Sequence, residues 1–361
     1  MGSFRTLAFA FIDLKLPYKT YLLPASRKVI MRAIQISKPA NAVVPKLSLI
    51  TKPQPRAQLG FALVKVNFSA ILPSDRLNAK GLFPYTSFPR TPGRDYSGVV
   101  VEVDPSSSFS SWVGEEVYGT SDSELGFTLD GPHAEYCLIP EDMLVKKPTR
   151  LSRVQAATVG VPFTTARRCL LRGRVSKDDT VLVLGSTGTV GSAAVQLAKA
   201  MGCKRVFRAS RNPEDEPDIL LPGKIAAVTI QEQVYKLNAG KGVDVVVDTV
   251  GQVPLMKAAF EALAVRGRYT WIAAPRDGSS PEFPLDIFQA YRKEIELIGC
   301  NTANKSKAIV AEEMEALAEW FNAGLLKASD EEDVELVGLD EAIEKGYERR
   351  GPKKHTLIRM G

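Results

Sequence analysis

The stretch Val181-Leu-Val-Leu-Gly185-Ser-Thr-Gly188-Thr-Val-Gly191-Ser-Ala-Ala-Val-Gln-Leu-Ala-Lys-Ala-Met-Gly202 decides how the chain is read. Four apolar residues run into three glycines spaced three apart, and a segment of more than two helical turns follows. An unbroken apolar strand of this kind is buried on both faces, as in a parallel sheet covered by helices. Gly185 permits a tight turn, Gly188 lets the backbone approach a pyrophosphate, and Gly191 lets the helix pack closely on the strand. Ser186, Thr187, Thr189 and Val190 complete the turn, and the helix start offers unpaired N–H groups and partial positive charge to phosphate. Glycine spacing alone is weak evidence; bracketed by strand and helix it predicts a dinucleotide site.

Working outward, the next strand should carry the choice of cofactor, because an acid there holds the ribose 2′-hydroxyl of NAD. The sequence reads Arg205-Val-Phe-Arg208-Ala-Ser210-Arg211-Asn212, with no acid before Glu214. Arginine pairs bidentately with phosphate, so Arg208, Ser210 and Arg211 predict NADPH rather than NADH. Further apolar runs, Val243-Asp-Val-Val-Val-Asp and Gly267-Arg-Tyr-Thr-Trp-Ile-Ala, extend the alternation of strand and helix from about residue 154. Before that, from 31 to about 150, short β runs separated by prolines and turn residues predict a mostly β segment. A helix over 309–323 and a β-like tail over 354–360 close the chain.

The 361 residues are 45% hydrophobic and 24% charged, which suits two globular domains and excludes a disordered or disulfide-stapled chain. Cys137, Cys169, Cys203 and Cys300 are too widely spaced for a C-x-x-C metal or redox motif, and a reducing compartment is expected. No apolar run is long enough for a membrane span. Of the net charge of +6, most lies in residues 1–32, where six lysines and arginines face Asp13 alone. The rest is near neutral, so nucleic acid is not an expected partner. The basic, aromatic-dotted extension over 1–30 admits three readings: a mitochondrial transit peptide, an upstream start, or an ordered arm. Met1-Gly2-Ser3-Phe4-Arg5-Thr6 also fits the loose myristoylation pattern.

Beyond the glycine turn, the chain resembles the zinc-independent quinone oxidoreductase and enoyl reductase branch (zeta-crystallin-like) of the medium-chain dehydrogenase/reductase superfamily. The resemblance rests on Leu72-Pro-Ser-Asp75 before Gly81, Pro92-Gly-Arg-Asp-Tyr-Ser-Gly98, Gly131-Pro-His-Ala-Glu-Tyr136, Val161-Pro-Phe-Thr-Thr-Ala166, Asp248-Thr-Val-Gly251 and Tyr291-Arg-Lys-Glu-Ile-Glu-Leu-Ile-Gly-Cys-Asn-Thr302, in that order around the glycine turn. It implies an α/β fold: a GroES-like β-rich catalytic domain over 31–153 and 299–361, and a Rossmann doubly wound parallel-sheet domain over 154–298. It further implies that Thr165 touches the nicotinamide or its ribose, that Val250 and Gly251 approach the cofactor, that Ile272 and Ala273 line the nicotinamide pocket, and that Asn301 follows where the chain crosses back. Zinc-dependent relatives carry a Cys before the Ser-Asp segment and a His-Glu pair where this chain has Arg94-Asp95, so no metal site is expected.

The implied activity is hydride transfer from NADPH to a small-molecule quinone or α,β-unsaturated carbonyl compound. Two alternatives stay open: a non-catalytic NADPH-binding member of the fold, and an enoyl reductase acting in trans with a synthase. Family members commonly have Asn where Leu72 stands and a Tyr where Phe83 stands; Tyr85, two residues on, is the candidate catalytic hydroxyl, with water as the other proton source. A homodimer stays open, and the expected location is cytoplasmic, or mitochondrial if residues 1–30 are a transit peptide. Because the regular alternation begins at Met31, a chain starting there should melt within a few degrees of the full-length protein; a large loss in a thermal melt would show that the extension packs on the body.

Overall fold

The computed structural model describes residues 29–221, 229–349, 351 and 353–361. Of the extension, residues 1–28 lie outside this set. Strands β1 (Ile30–Ser37) and β2 (Lys46–Pro53) pair antiparallel. They are followed by β3 (Phe61–Ala70), the short helix α1 (Pro73–Ala79), β4 (Tyr96–Glu102), β5 (Glu116–Gly119), β6 (Tyr136–Pro140) and β7 (Val145–Lys146). Pro73 opens α1, where its missing N–H is no loss, and the Asp75 carboxylate accepts the Leu72 N–H at 2.8 Å.

Helices α2 (Arg153–Ala156) and α3 (Gly160–Arg172) lead into the alternating half. There β8 (Thr180–Leu184), α4 (Thr189–Ala200), β9 (Arg205–Ser210) and β10 (Ile219–Leu220) precede α5 (Ile230–Leu237), β11 (Val243–Asp248), α6 (Val253–Glu261), β12 (Leu263–Trp271), α7 (Ile287–Arg292) and β13 (Glu296–Gly299). The six strands are all parallel in the order β10-β9-β8-β11-β12-β13. This is the doubly wound Rossmann order, which reverses between β8 and β11 and opens a crevice beyond their carboxyl ends. Val181, Leu182, Val183 and Leu184 of β8 are wholly buried, each stabilising the sheet by roughly 1.5–3 kcal/mol.

Helix α8 (Lys307–Asn322), β14 (Val334–Gly338) and β15 (His355–Arg359) return the chain to the first half. Helix and tail fall within two residues of the bounds read from the sequence. The β-rich, GroES-like sheet has the order β14-β15-β3-β4-β5-β7, with β6 also on β3. Leu357 of β15 lies opposite Ala70 of β3, so the last residues complete a sheet that the first hundred begin.

One buried carboxylate ties the two halves together. Asp95, directly before β4, is fully buried; it accepts the Val161 N–H of α3 at 2.9 and 2.8 Å and the Thr120 hydroxyl at 2.5 Å. Only glycine fits at position 160, because a Cβ there would overlap the Asp95 carboxylate. Burial pushes the Asp95 carboxyl up from 3.8 to about 7, against the hydrogen bond from Thr120, the Arg94 charge and the Val161 N–H. Between those values the folded protein holds a proton that the unfolded chain has released, so this group makes stability fall as pH rises from about 4 to about 7. The full effect is ~4 kcal/mol at one pKa unit per 1.36 kcal/mol. Asp95→Asn should flatten that part of the pH dependence of the urea midpoint; an unchanged slope would assign it to other groups.

Candidate active site

The glycine turn has the conformation that its residues predict. Gly185 has φ +72°, a left-handed value that favours glycine. A Cβ on Gly191 would overlap the Gly185 carbonyl, so α4 packs on the turn only because that side chain is absent. At Gly188 a Cβ would meet nothing nearer than the Gly185 oxygen at 3.3 Å, leaving its outer face open. Thr187 and Gly188 are exposed and Thr189 and Val190 half-buried, whereas the Ser186 hydroxyl is buried and donates to the Ala209 carbonyl at 3.1 Å. Ser186 therefore braces the turn against β9, while the Gly188 N–H closes the turn on the Gly185 carbonyl at 3.0 Å and the exposed residues Thr187 and Gly188 form its outer face.

The end of β11 lies beside this turn. The Asp248 carboxylate accepts the N–H groups of Val250 (2.7 Å) and Gly251 (3.0 Å) on one oxygen and the Tyr269 hydroxyl on the other (3.0 Å). Burial pushes its acidity down, and those three donors oppose the shift. The bonds hold Gly251 at φ +69°, where a Cβ would overlap the backbone of Ala273. A Cβ on Gly185 would in turn lie 2.9 Å from Val250. Gly185, Val250, Gly251, Ile272 and Ala273 thus converge at the carboxyl ends of β8, β11 and β12. Thr165, in α3, is buried, and its hydroxyl has no hydrogen-bond partner among the described residues. A buried hydroxyl without a partner costs roughly 1–3 kcal/mol, a cost that a bound polar ligand would relieve.

The predicted ribose end is less uniform. Arg208 is turned to the outer strand: it donates to the Glu216 carbonyl and approaches Asp218 at 3.6 Å. Ser210 donates to Asp215 at 2.6 Å, so an acid does stand at the end of β9, brought back by the turn after it. Arg211 is exposed and makes no ion pair among the described residues. Asn301 is also exposed; its side chain caps the following turn by accepting the Ala303 N–H at 3.0 Å. Sequence reasoning also missed Lys354, whose ammonium reaches Ser192 in the first turn of α4 at 3.2 Å. Both residues line a cavity of about 360 Å³ that meets the predicted site at Thr189.

On the β-rich side, Tyr85 is 41% exposed and forms an aromatic trio with Phe83 and Phe127, at ring separations of 5.1 to 5.5 Å. The Arg94 guanidinium lies 5.8 Å from the Phe127 ring centre. Partial burial raises the Tyr85 phenol above its ordinary value, against the nearby Arg94 charge. Arg94 itself is buried and paired with Asp75 at 3.2 Å, and it also donates to Ser74. Arg94 and Asp95 are therefore both structural, but through different partners.

Two family profiles match the sequence: an alcohol dehydrogenase GroES-like domain over residues 58–149 and a zinc-binding dehydrogenase over 189–323. A zinc-type alcohol dehydrogenase-like protein of Schizosaccharomyces pombe is 42% identical over 313 residues, 87% of this chain and 92% of that protein. The chain belongs to the medium-chain dehydrogenase/reductase superfamily, in its quinone oxidoreductase-like branch. Within that superfamily, the quinone oxidoreductase of Homo sapiens is 29% identical over 317 residues, covering 84% of this chain and 90% of its own. A crystal structure of an alcohol dehydrogenase superfamily protein from Novosphingobium aromaticivorans superimposes with TM-score 0.74 at 24% identity, covering 92% of this chain and all of the other, a likeness of fold. The protein is accordingly an oxidoreductase of this superfamily, which binds a nicotinamide cofactor and acts on small molecules. Among the described residues no helix is long and apolar enough to cross a membrane.

The two glycines should separate folding from binding. Gly188→Ala should melt close to the wild type yet bind a nicotinamide dinucleotide at least tenfold more weakly by calorimetry, because its Cβ enters only the open face. Gly191→Ala should lose stability as well. Unchanged affinity in Gly188→Ala would place the phosphates elsewhere.

Proposed function

We propose that the protein is an NADPH-dependent reductase that delivers a hydride to a quinone or an α,β-unsaturated carbonyl compound without zinc. The observation that carries this reading is Arg94, a buried, permanently charged guanidinium locked to Asp75 where zinc-dependent members place metal donors. Zinc needs three or four N, S or O donors converging on one point. Leu72 is apolar, Arg94 is a cation, and the Asp95 carboxylate is already engaged by Val161 and Thr120. No group of three or more His, Cys, Asp or Glu side chains converges among the described residues. The donor set does not fit zinc, and acceptors conjugated to a carbonyl suit such a site because they need only modest polarisation.

The residues do fit a nicotinamide dinucleotide. We assign the backbone of 187–189, with Gly188 and Gly191, to the pyrophosphate, Lys354 to its charge, and Thr165, Val250, Gly251, Ile272 and Ala273 to the nicotinamide end. Arg211 is assigned to the ribose phosphate; Arg208 contributes by holding the Glu216 carbonyl of the turn after β9, and Asn301 through the shape of its own turn. When bound, NADPH supplies the hydride. The Tyr85 phenol, which carries its proton at neutral pH, anchors the acceptor carbonyl and donates the proton that its enolate requires. Taking the domains as 31–153 with 299–361, and 154–298, we put this cleft between the two sheets. A homodimer is supported by β13, whose outer edge is unpaired among the described residues and which carries exposed Leu297, with exposed Ile287, Phe288 and Tyr291 in the preceding helix α7.

A screen of NADPH oxidation against quinones, enals and enoyl thioesters tests the reading directly, and activity should survive dialysis against a strong chelator. Zinc bound stoichiometrically and lost together with activity would overturn it. Arg211→Ala should raise KM for NADPH and leave that for NADH nearly unchanged; equal effects would hand the site to Asp215 and NADH. With an enone, Tyr85→Phe should cut the rate by roughly 10²-fold or more, while quinone reduction should hardly change because reduced quinone oxygens take protons from water.

A further inference from the structure

The turn of α3 that carries Thr165 is fastened from outside the helix by a buried ion pair. Lys305 stands just before α8, and Glu313 lies in the second turn of that helix; their side chains are only 2% and 4% exposed. The Lys305 ammonium donates to the Glu313 carboxylate and, at 3.1 Å, to the Thr164 carbonyl of α3. Arg167 of α3 approaches the same carboxylate at 3.6 Å. The two contacts thus reach α3 one residue before Thr165 and two residues after it.

The base of this tether is itself held. The Tyr118 hydroxyl of β5 donates at 2.6 Å to the carbonyl of Met314, the residue after Glu313. Phe321 of α8 packs edge-to-face on Phe163 of α3, with ring centres 5.0 Å apart. Asp95 secures the head of α3 through Val161, and Lys305 secures the next turn. The Thr165 hydroxyl has no hydrogen-bond partner among the described residues, so only the backbone of that turn and the restricted χ1 of a β-branched side chain aim it.

We propose that Lys305, with Glu313, is a positioning residue for the cofactor: it holds the second turn of α3 where the Thr165 hydroxyl meets the nicotinamide end. This role rests on the assignment of Thr165 to that end. Stability alone does not account for the pair, because taking an ammonium and a carboxylate out of water is costly, and well-packed apolar residues in their place are often at least as stable. Burial pushes the Lys305 ammonium below its ordinary range, against the Glu313 charge. An apolar pair could fill the same space but could not grip the Thr164 carbonyl. Inside a helix that carbonyl already faces the N–H four residues on, so the ammonium adds a tether rather than satisfying a lone acceptor.

The test uses the full-length protein and two probes read by calorimetry: NADPH, and 2′,5′-ADP, which carries the adenosine end without nicotinamide. Lys305→Met combined with Glu313→Leu removes both charges together, leaves neither ion buried alone, and should melt within a few degrees of the wild type. It should bind NADPH about tenfold more weakly, the scale of one lost hydrogen bond, and 2′,5′-ADP as before. Thr165→Val should do the same. Adding it to the apolar pair should cost nothing further, because the three residues act through one contact. Wild-type NADPH affinity in Thr165→Val would remove the nicotinamide assignment, and the role of Lys305 with it. A loss in Thr165→Val with none in the apolar pair would overturn the role of Lys305 alone, as would losses that multiply or an equal loss for 2′,5′-ADP. Should the apolar pair not fold, Arg167→Met reads the same tie from a position that is 26% exposed. It should weaken NADPH and spare 2′,5′-ADP, and unchanged NADPH affinity there would likewise overturn the proposal.

Discussion

The Asp95 carboxylate pins the β-rich sheet to the helix that opens the Rossmann half. It lies at the start of β4, yet its bonds reach Val161 at the head of α3, with Thr120 as a second anchor. Burying a carboxylate is costly unless donors surround it, and here the donors come from both halves of the molecule. The orientation of α3 follows from that contact, and α3 carries Thr165 toward the proposed nicotinamide end. Gly160 allows this close approach, since any side chain would displace the carboxylate. A single buried acid thus fixes how the head of α3 meets the β-rich sheet.

Much of this architecture was legible in the sequence because its signals are local. The run from Val181 to Gly202 specifies strand, turn and helix through the apolar run and the glycine positions, and the structure adds the reason: the helix and the Gly185 carbonyl leave no room for a Cβ at 191. The six motifs around it fixed the family, and Asp248-Thr-Val-Gly251 became a second turn held by its own aspartate. The helix near 309–323 and the closing strand were legible for the same reason, periodicity within a dozen residues.

What could not be read depends on contacts between distant positions. Asp215 follows the supposed cofactor-selecting strand, and only the reversal after Asn212 carries it back to Ser210. Arg208 points to Asp218 because the short β10 lies on that side of β9, a pairing that no local pattern announces. Arg94 finds Asp75 rather than its neighbour Asp95, since adjacent residues at the start of a strand project to opposite faces. Lys354 and Ser192 meet only when β15 brings its neighbourhood back to α4.

The pairing of β15 with β3 carries a consequence for the order of folding. Leu357 stands opposite Ala70, so the whole Rossmann half lies between the two strands in the sequence. A contact between positions so distant must meet the entropy of closing a very long loop before it is rewarded, whereas the strands of the Rossmann half pair with nearer neighbours in the chain. The parallel sheet therefore assembles while one edge of β3 is still open, and an open edge invites pairing with another chain.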